Sequence, residues 1–291
     1  MRYNCQVAIL GKSLRSETTY NCCTEVKMIK LWKNNVPYFK EEYNQEAPSL
    51  TPFIVEGAKS CIIVIPGGAY QFIAGDHEGL DIVRHLNENG ISAFLLRYRV
   101  APYHHPVMQC DINRAVRVCR FLASEYGYDS DKIAVLGFSA GGHLAGTAIT
   151  HFDYGVEDSD EIDKISCRPD MGILCYAVLN IGEKFTHWGT TNNLIGDSDD
   201  PALCQRMSCE KAVREDTPPC FIWHTAADQA VPCENSLMFA AALSEKKIPF
   251  ELHIFPEGRH GLGHIKALEE CPHTAQWLPL MIKYVKHTFG V

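Results

Sequence analysis

The stretch "LGFSAGGHLAG", residues 136–146, sets a serine between glycines two positions before and two after, directly behind the apolar run "KIAVL" of residues 132–136. That run reads as a buried strand, and the small, then apolar "GHLAGTAIT" of residues 142–150 reads as a helix. A serine held on so sharp a strand-to-helix turn takes a strained backbone. Strand and helix then approach closely enough that a Cβ at either flanking position would clash. Gly137 and Gly141 remove both clashes. Ser139 is therefore read as a nucleophile, and the helix beginning beside it offers free amides that stabilise negative charge. G-x-S-x-G alone is a pattern of modest specificity; its place after a buried strand and before a helix decides against an ordinary glycine turn.

Further β-rich runs lie near Ile54 and at residues 61–65 ("CIIVI"), 92–98 ("SAFLLRY"), 171–179 ("MGILCYAVL"), 220–225 ("CFIWHT") and 250–255 ("FELHIF"). Most are apolar at consecutive positions, as strands covered on both faces must be. Helical stretches separate them: "GLDIVRHLNENG" ending at Gly90, "CDINRAVRVCRFLASEYG" ending at Gly127, and "ENSLMFAAALSEKK" from Glu234. The first two close on glycine, as helix C-termini commonly do. This alternation predicts an α/β fold, a mostly parallel central sheet with helices on both faces. Ligands of such sheets gather beyond the carboxyl ends of the strands. "PGGAY" (66–70), "LGFSAGG" (136–142), "HTAADQAVP" (224–232) and "PEGRHGLG" (256–263) all fall there.

A serine hydroxyl is inert without a base and an acid to orient that base. When the three come from successive strand ends, the chain order is nucleophile, acid, histidine. His260, in the glycine-flanked loop after the last strand, fits the base, and Asp228, just beyond "FIWHT", fits the acid. Glu257 is a rival acid near His260, and Asp197, Asp199 and Asp200 are rivals in a polar loop where simple solvation accounts for them. His224 lies inside a strand and His143 a full turn into the nucleophile helix, pointing away from the hydroxyl, so both read as structural. The oxyanion needs backbone donors; Gly68 and Ala69 of "PGGAY", with Ala140 after the nucleophile, are the candidates.

Composition bounds the alternatives. The 291 residues, 46% hydrophobic and 21% charged, suffice for a sizeable single core. A formal net charge of −8 without a Lys/Arg cluster argues against nucleic acid and anionic membrane as partners. The apolar run from Met171 reaches about half of the ~18 residues a spanning helix needs. "VAIL" at residues 7–10 is shorter than the ~7–15 apolar residues of a secretory signal, so a cytoplasmic location is expected. The 13 cysteines, odd in number and often inside apolar runs, read as reduced core residues. "LGKS" at residues 10–13 lacks the earlier glycine of a phosphate loop, Gln6 standing in its place. Neither His104 with His105 nor His260 with His264 has companions at metal-site spacing, so no metal and no cofactor are expected.

With "IPGGAY", "RYRVAPYHHP", "LGFSAGGHLAG", "PPCFIWHTAADQAVP" and "FPEGRHGLG", the chain from about Met28 onward resembles α/β-hydrolase esterases of the acetyl-esterase, xylan-esterase and feruloyl-esterase-like group, related to the hormone-sensitive-lipase type. That larger group begins its second motif with His where Pro66 stands here and has a third Gly where Ala69 stands; an oxyanion hole made of backbone groups tolerates both changes. The resemblance implies an α/β-hydrolase domain over residues 28–291, with a cap insertion at about 180–217. Residues 1–27 form an extension open to a β-strand, homo-oligomer-contact or disordered-arm role. It also implies a serine carboxylic-ester hydrolase that works through an acyl-enzyme on a small ester, an acetylated sugar or xylo-oligosaccharide. Tyr70 and Trp188 are the candidates at the substrate, Trp188 either as a flat surface for a sugar ring or as an anchor of the cap to the body. The insertion's few large hydrophobes suit a short acyl group. Amide hydrolysis, as by a formamidase or small peptidase, is the alternative the same triad allows. A ligand receptor on a decayed hydrolase scaffold would leave the three intact triad positions unexplained.

Overall fold

A computed structural model describes residues 28–157, 159–196 and 200–291. The proposed extension of residues 1–27 and the rival acids Asp197 and Asp199 lie outside the described residues. The strands are β1 (Ile29–Lys30), β2 (Ser49–Phe53), β3 (Cys61–Ile65), β4 (Ser92–Arg97), β5 (Ile133–Phe138), β6 (Met171–Cys175), β7 (Cys220–Thr225) and β8 (Phe250–Phe255). They form one sheet in the order β1-β2-β4-β3-β5-β6-β7-β8, in which β3 to β8 run parallel and β2 is antiparallel to both its neighbours. The helices are α1 (Asp81–Glu88), α2 (Val107–Tyr126), α3 (Ser139–Thr150), α4 (Trp188–Ile195), α5 (Pro201–Met207), α6 (Glu234–Glu245), α7 (Ile265–Glu270) and α8 (Trp277–Phe289).

Alternate residues of the central strands face opposite sides of the sheet. Cys61, Ile63 and Ile65 of β3 join a core with α2, α3 and α6, while Ile62 and Val64 join a second core with α1 and α8. Two covered faces are why these strands are apolar at consecutive positions rather than alternately.

Two features differ from the sequence expectation. The strand expected near Ile54 ends one residue earlier, at Phe53, and pairs antiparallel with β4. The run from Met171 leaves the sheet after Cys175, because Tyr176 turns to φ 36° and Val178 then donates its N–H to the Ser139 carbonyl at 3.1 Å. The run beyond the strand is buried as lining of the nucleophile turn.

Register then sets the site. Ile65 lies opposite Gly137, so the loops after β3 and β5 leave the sheet side by side. Thr225 lies opposite Phe255, which does the same for the loops carrying Asp228 and His260.

Candidate active site

Ser139 is the first residue of α3 and takes φ 53°, the left-handed region that a residue with a side chain occupies only where its surroundings impose it. Those surroundings are close. A Cβ on Gly137 would stand 2.1 Å from the Gly141 carbonyl oxygen, and a Cβ on Gly141 would stand 2.3 Å from that of Ile65. The two bare positions let α3 seat on the ends of β3 and β5 and aim the serine hydroxyl outward.

The structure brings Ser139, His260 and Asp228 into one hydrogen-bonded line. His260 Nδ1 lies 2.7 Å from Asp228 Oδ2, and Nε2 lies 2.8 Å from Ser139 Oγ. A carboxylate only accepts, so Nδ1 carries the ring proton, and the bare Nε2 accepts from the serine hydroxyl. Asp228 itself is tied down. Its Oδ1 accepts the N–H groups of Ala230 and Val231, both at 2.9 Å, and Oδ2 lies 3.4 Å from His224 Nε2. Burial alone would push this carboxyl up. The bonds from His224 and His260 and the Val231 N–H outweigh burial and hold it well below the usual carboxylate range.

The other candidates sort by their partners. Glu257 is exposed. Asp200 caps α5 by accepting the Ala202 N–H at 2.9 Å. His143 is wholly buried: Nε2 donates to the Met207 carbonyl at 2.9 Å, and Nδ1 accepts from the Tyr70 hydroxyl at 2.8 Å. Burial pushes it down to about 4, so it stays neutral.

The loop after β3 passes directly beside the nucleophile. A Cβ on Gly67 would stand 2.9 Å from that of Ser139. Gly68, Ala69 and Tyr70 take φ 125°, 53° and 57°, a turn closed by the N–H groups of Gln71 and Phe72 on the Gly68 carbonyl. The N–H groups of Gly68, Ala69 and Ala140 have no protein acceptor among the described residues. Three unpaired donors, two in the loop beside Ser139 and one directly after it in the chain, are suited to an oxyanion.

Tyr70 corrects an expectation. Its side chain is fully buried, and its hydroxyl is spent on His143, so it cannot touch a substrate; its place is under the turn, holding it. Trp188 is 60% exposed and lines a cavity of about 850 Å³ with His104, Glu183, Asn192, Asn193 and Gln205. The insertion that carries it docks on the loop after β3, Asn193 Nδ2 donating to the Ala69 carbonyl at 2.8 Å. Two residues at the site escape a reading of the sequence, and a third is read there only as structural. His224, Glu78 and Asn193 act through contacts between distant segments that no motif announces; only the burial of His224 inside a strand hinted at a structural role. No cluster of three or more metal-ligating side chains occurs among the described residues.

Residues 51–243 match the BD-FAE family model. The chain is 40% identical over 246 residues to endo-1,4-beta-xylanase B of Butyrivibrio fibrisolvens, covering 80% of this chain and 38% of that protein. It is 31% identical over 206 residues to the acetylxylan esterase of Xylanibacter ruminicola, covering 69% of this chain and 41% of that protein. The chain thus spans about two fifths of the length of these curated relatives. Among solved structures, the acetyl ester-xyloside bifunctional hydrolase from Caldicellulosiruptor lactoaceticus superposes with a TM-score of 0.86 at 43% identity, covering 93% of this chain and 99% of that one.

Proposed function

Because this chain belongs to the BD-FAE family, we propose that it is a serine ester hydrolase that removes short acyl groups, foremost acetyl, from acetylated sugars such as xylo-oligosaccharides. One observation carries the proposal: the unbroken line from Ser139 Oγ through His260 to Asp228, ending on a carboxylate held ionised.

In this reading His260 Nε2 takes the hydroxyl proton as Ser139 Oγ attacks the ester carbonyl, and Asp228 stabilises the imidazolium that forms. The carbonyl oxygen becomes an oxyanion beside the N–H groups of Gly68, Ala69 and Ala140. These donors are fixed before the reaction and need no reorganisation when charge develops. Collapse expels the sugar hydroxyl, protonated by His260, and leaves an acetyl-serine. Water, deprotonated by the same histidine, then releases acetate.

The sugar part of the proposal rests on the names of the acetylxylan esterase and acetyl ester-xyloside hydrolase relatives and on the cavity beside Trp188. An exposed indole presents a flat apolar face for a sugar ring and an N–H as a polar handle. We take the 180–217 insertion as a small cap that carries this surface. Nothing in the relatives named here supports the amide alternative. The xylanase name belongs to a protein over twice the length of the matched part, and a serine nucleophile is suited to acyl carbonyls rather than to the paired-carboxylate chemistry of glycosidic bonds. No helix among the described residues is long and apolar enough to cross a membrane. The ten described cysteines are all free thiols.

The test is release of acetate from acetylated xylo-oligosaccharides and of nitrophenol from nitrophenyl acetate, with Ser139→Ala as the blank. Turnover lost in the blank is the expected result. Turnover equal in the blank, or restored by zinc after chelation, overturns the serine mechanism.

A further inference from the structure

Glu78 lies in the helical turn Asp76–Leu80, just before α1, and is only 3% exposed. A carboxylate so buried is costly unless both oxygens are satisfied. Here both accept. Oε2 takes the Gly67 N–H at 2.8 Å, and Oε1 takes the Tyr176 hydroxyl at 2.7 Å. The Tyr176 oxygen in turn accepts the Gly263 N–H at 2.9 Å.

These partners belong to the two halves of the reactive apparatus. Gly67 immediately precedes the oxyanion donors Gly68 and Ala69. Gly263 lies in the loop of His260, three residues beyond it. Tyr176, at φ 36° beyond the end of β6, stands with its ring on edge to the His260 imidazole, the centroids 5.0 Å apart and the planes at 69°. Burial, with Glu78 beside it, pushes the Tyr176 hydroxyl up, so the proton that Glu78 accepts stays in place. The same turn grips the histidine loop by backbone: His264 donates its N–H to the His77 carbonyl at 3.2 Å, and a Cβ on Gly263 would stand 2.4 Å from that oxygen.

We propose that Glu78 is a positioning residue that locks the oxyanion loop to the histidine loop, with Tyr176 as the link between them. Its hydrogen bonds go to Gly67 and Tyr176, not to Ser139. It acts by fixing two groups whose separation must match one transition state, where a misplacement of about 1 Å is worth up to about 10²-fold in rate. A carboxylate serves because it accepts on both sides. Glutamine, of the same shape, offers one oxygen and one NH₂, so either Gly67 or Tyr176 would meet a donor instead of an acceptor. The proposal rests on the serine-esterase reading.

Kinetics on an acetyl ester with the full chain test it, comparing the parent, Glu78→Gln, Tyr176→Phe and the double variant, alongside thermal midpoints and the rate of Ser139 labelling by a fluorophosphonate. The expected result is kcat and labelling lowered about tenfold or more in each single variant, KM changed little, and the double no worse than the poorer single. Tyr176→Phe keeps the ring against His260 and so carries the test if Glu78→Gln does not fold. Variants that keep kcat and labelling within about twofold of the parent, or lose activity only in proportion to unfolded protein, overturn the proposal and leave the esterase reading standing. A parent that neither cleaves the ester nor is labelled at Ser139 overturns both.

Discussion

Asp228 is met by four N–H groups, from Ala230, Val231, His260 and His224, and this crowding is what lets a buried carboxylate stay charged. His224 is the unobvious member. Its Nδ1 accepts from the Ser236 hydroxyl, leaving a proton on Nε2 for the Val231 carbonyl and the Asp228 edge. Asp228→Asn removes the charge and turns an amide toward His260, which then loses the partner that fixes its tautomer. Turnover should fall about 10³-fold or more with the fold retained, checked by kcat and circular dichroism. Near-native turnover would mean the acid is elsewhere. Ser139→Ala and His260→Ala should each reduce kcat to a common floor, and the double variant should sit on that floor rather than below it, because the groups act as a unit. Multiplied losses would separate them. Ser139, Asp228 and His260 were legible in the sequence because the chemistry dictates their residue types, order and strand-end positions. Glu78 and Asn193 were not, and His224 was legible only as structural, because each works through a partner brought near only by the fold.

The element most tightly specified is α3, whose glycines answer to named atoms: Gly141 to the Ile65 and Pro66 carbonyls, Gly142 to Ala177 and Gly146 to the Cys209 thiol. Gly141→Ala places a methyl 2.3 and 2.4 Å from two backbone oxygens, which cannot rotate away as a side chain would. A loss of about 1–3 kcal/mol or more is expected from urea unfolding, with activity lost beyond that because the displaced helix carries Ser139 and the Ala140 N–H. The short helices α4 and α5 are where the sequence said least. They lie in a polar insertion without strong periodicity, and α4 is held by bonds to other segments, such as Asn193 to Ala69 and the His105 N–H to the Leu194 carbonyl at 2.7 Å. The insertion that carries them holds few large hydrophobes, whereas a long acyl chain would need an extended apolar face. Nitrophenyl acetate to butyrate should therefore be hydrolysed much faster than the octanoate. A rate profile peaking at octanoate or beyond would overturn the short-acyl reading. The central parallel strands, by contrast, were legible, since burial on both faces leaves uninterrupted apolar runs; the run from Met171 misled only beyond Cys175, where burial continues without the sheet.

At the scale of the whole molecule, burial lowers several histidines, and two of them, His143 and His105, set how its stability answers to acid. His143 is packed between Tyr70 and the Met207 carbonyl; burial, reinforced by His151 and His105 and opposed by the Met207 bond, lowers it from the ordinary 6.5 to about 4. His105 is lowered to about 4 as well, first by burial and then by Arg206 and His151. Above pH 6.5 neither the folded nor the unfolded chain protonates these rings, and their contribution is fully present. Between 6.5 and 4 the unfolded chain takes up protons that the folded chain refuses, so stability falls as the pH falls; below 4 both states bind them and the loss levels off. For His143 alone, a difference of that size corresponds to about 3 kcal/mol. The urea midpoint should therefore drop between pH 7.5 and pH 4.5. His143→Gln keeps a donor for Met207 and an acceptor for Tyr70 but cannot titrate, so it should flatten that slope while changing stability less at pH 7.5. An unchanged slope in the variant would show that the acid sensitivity comes from other groups.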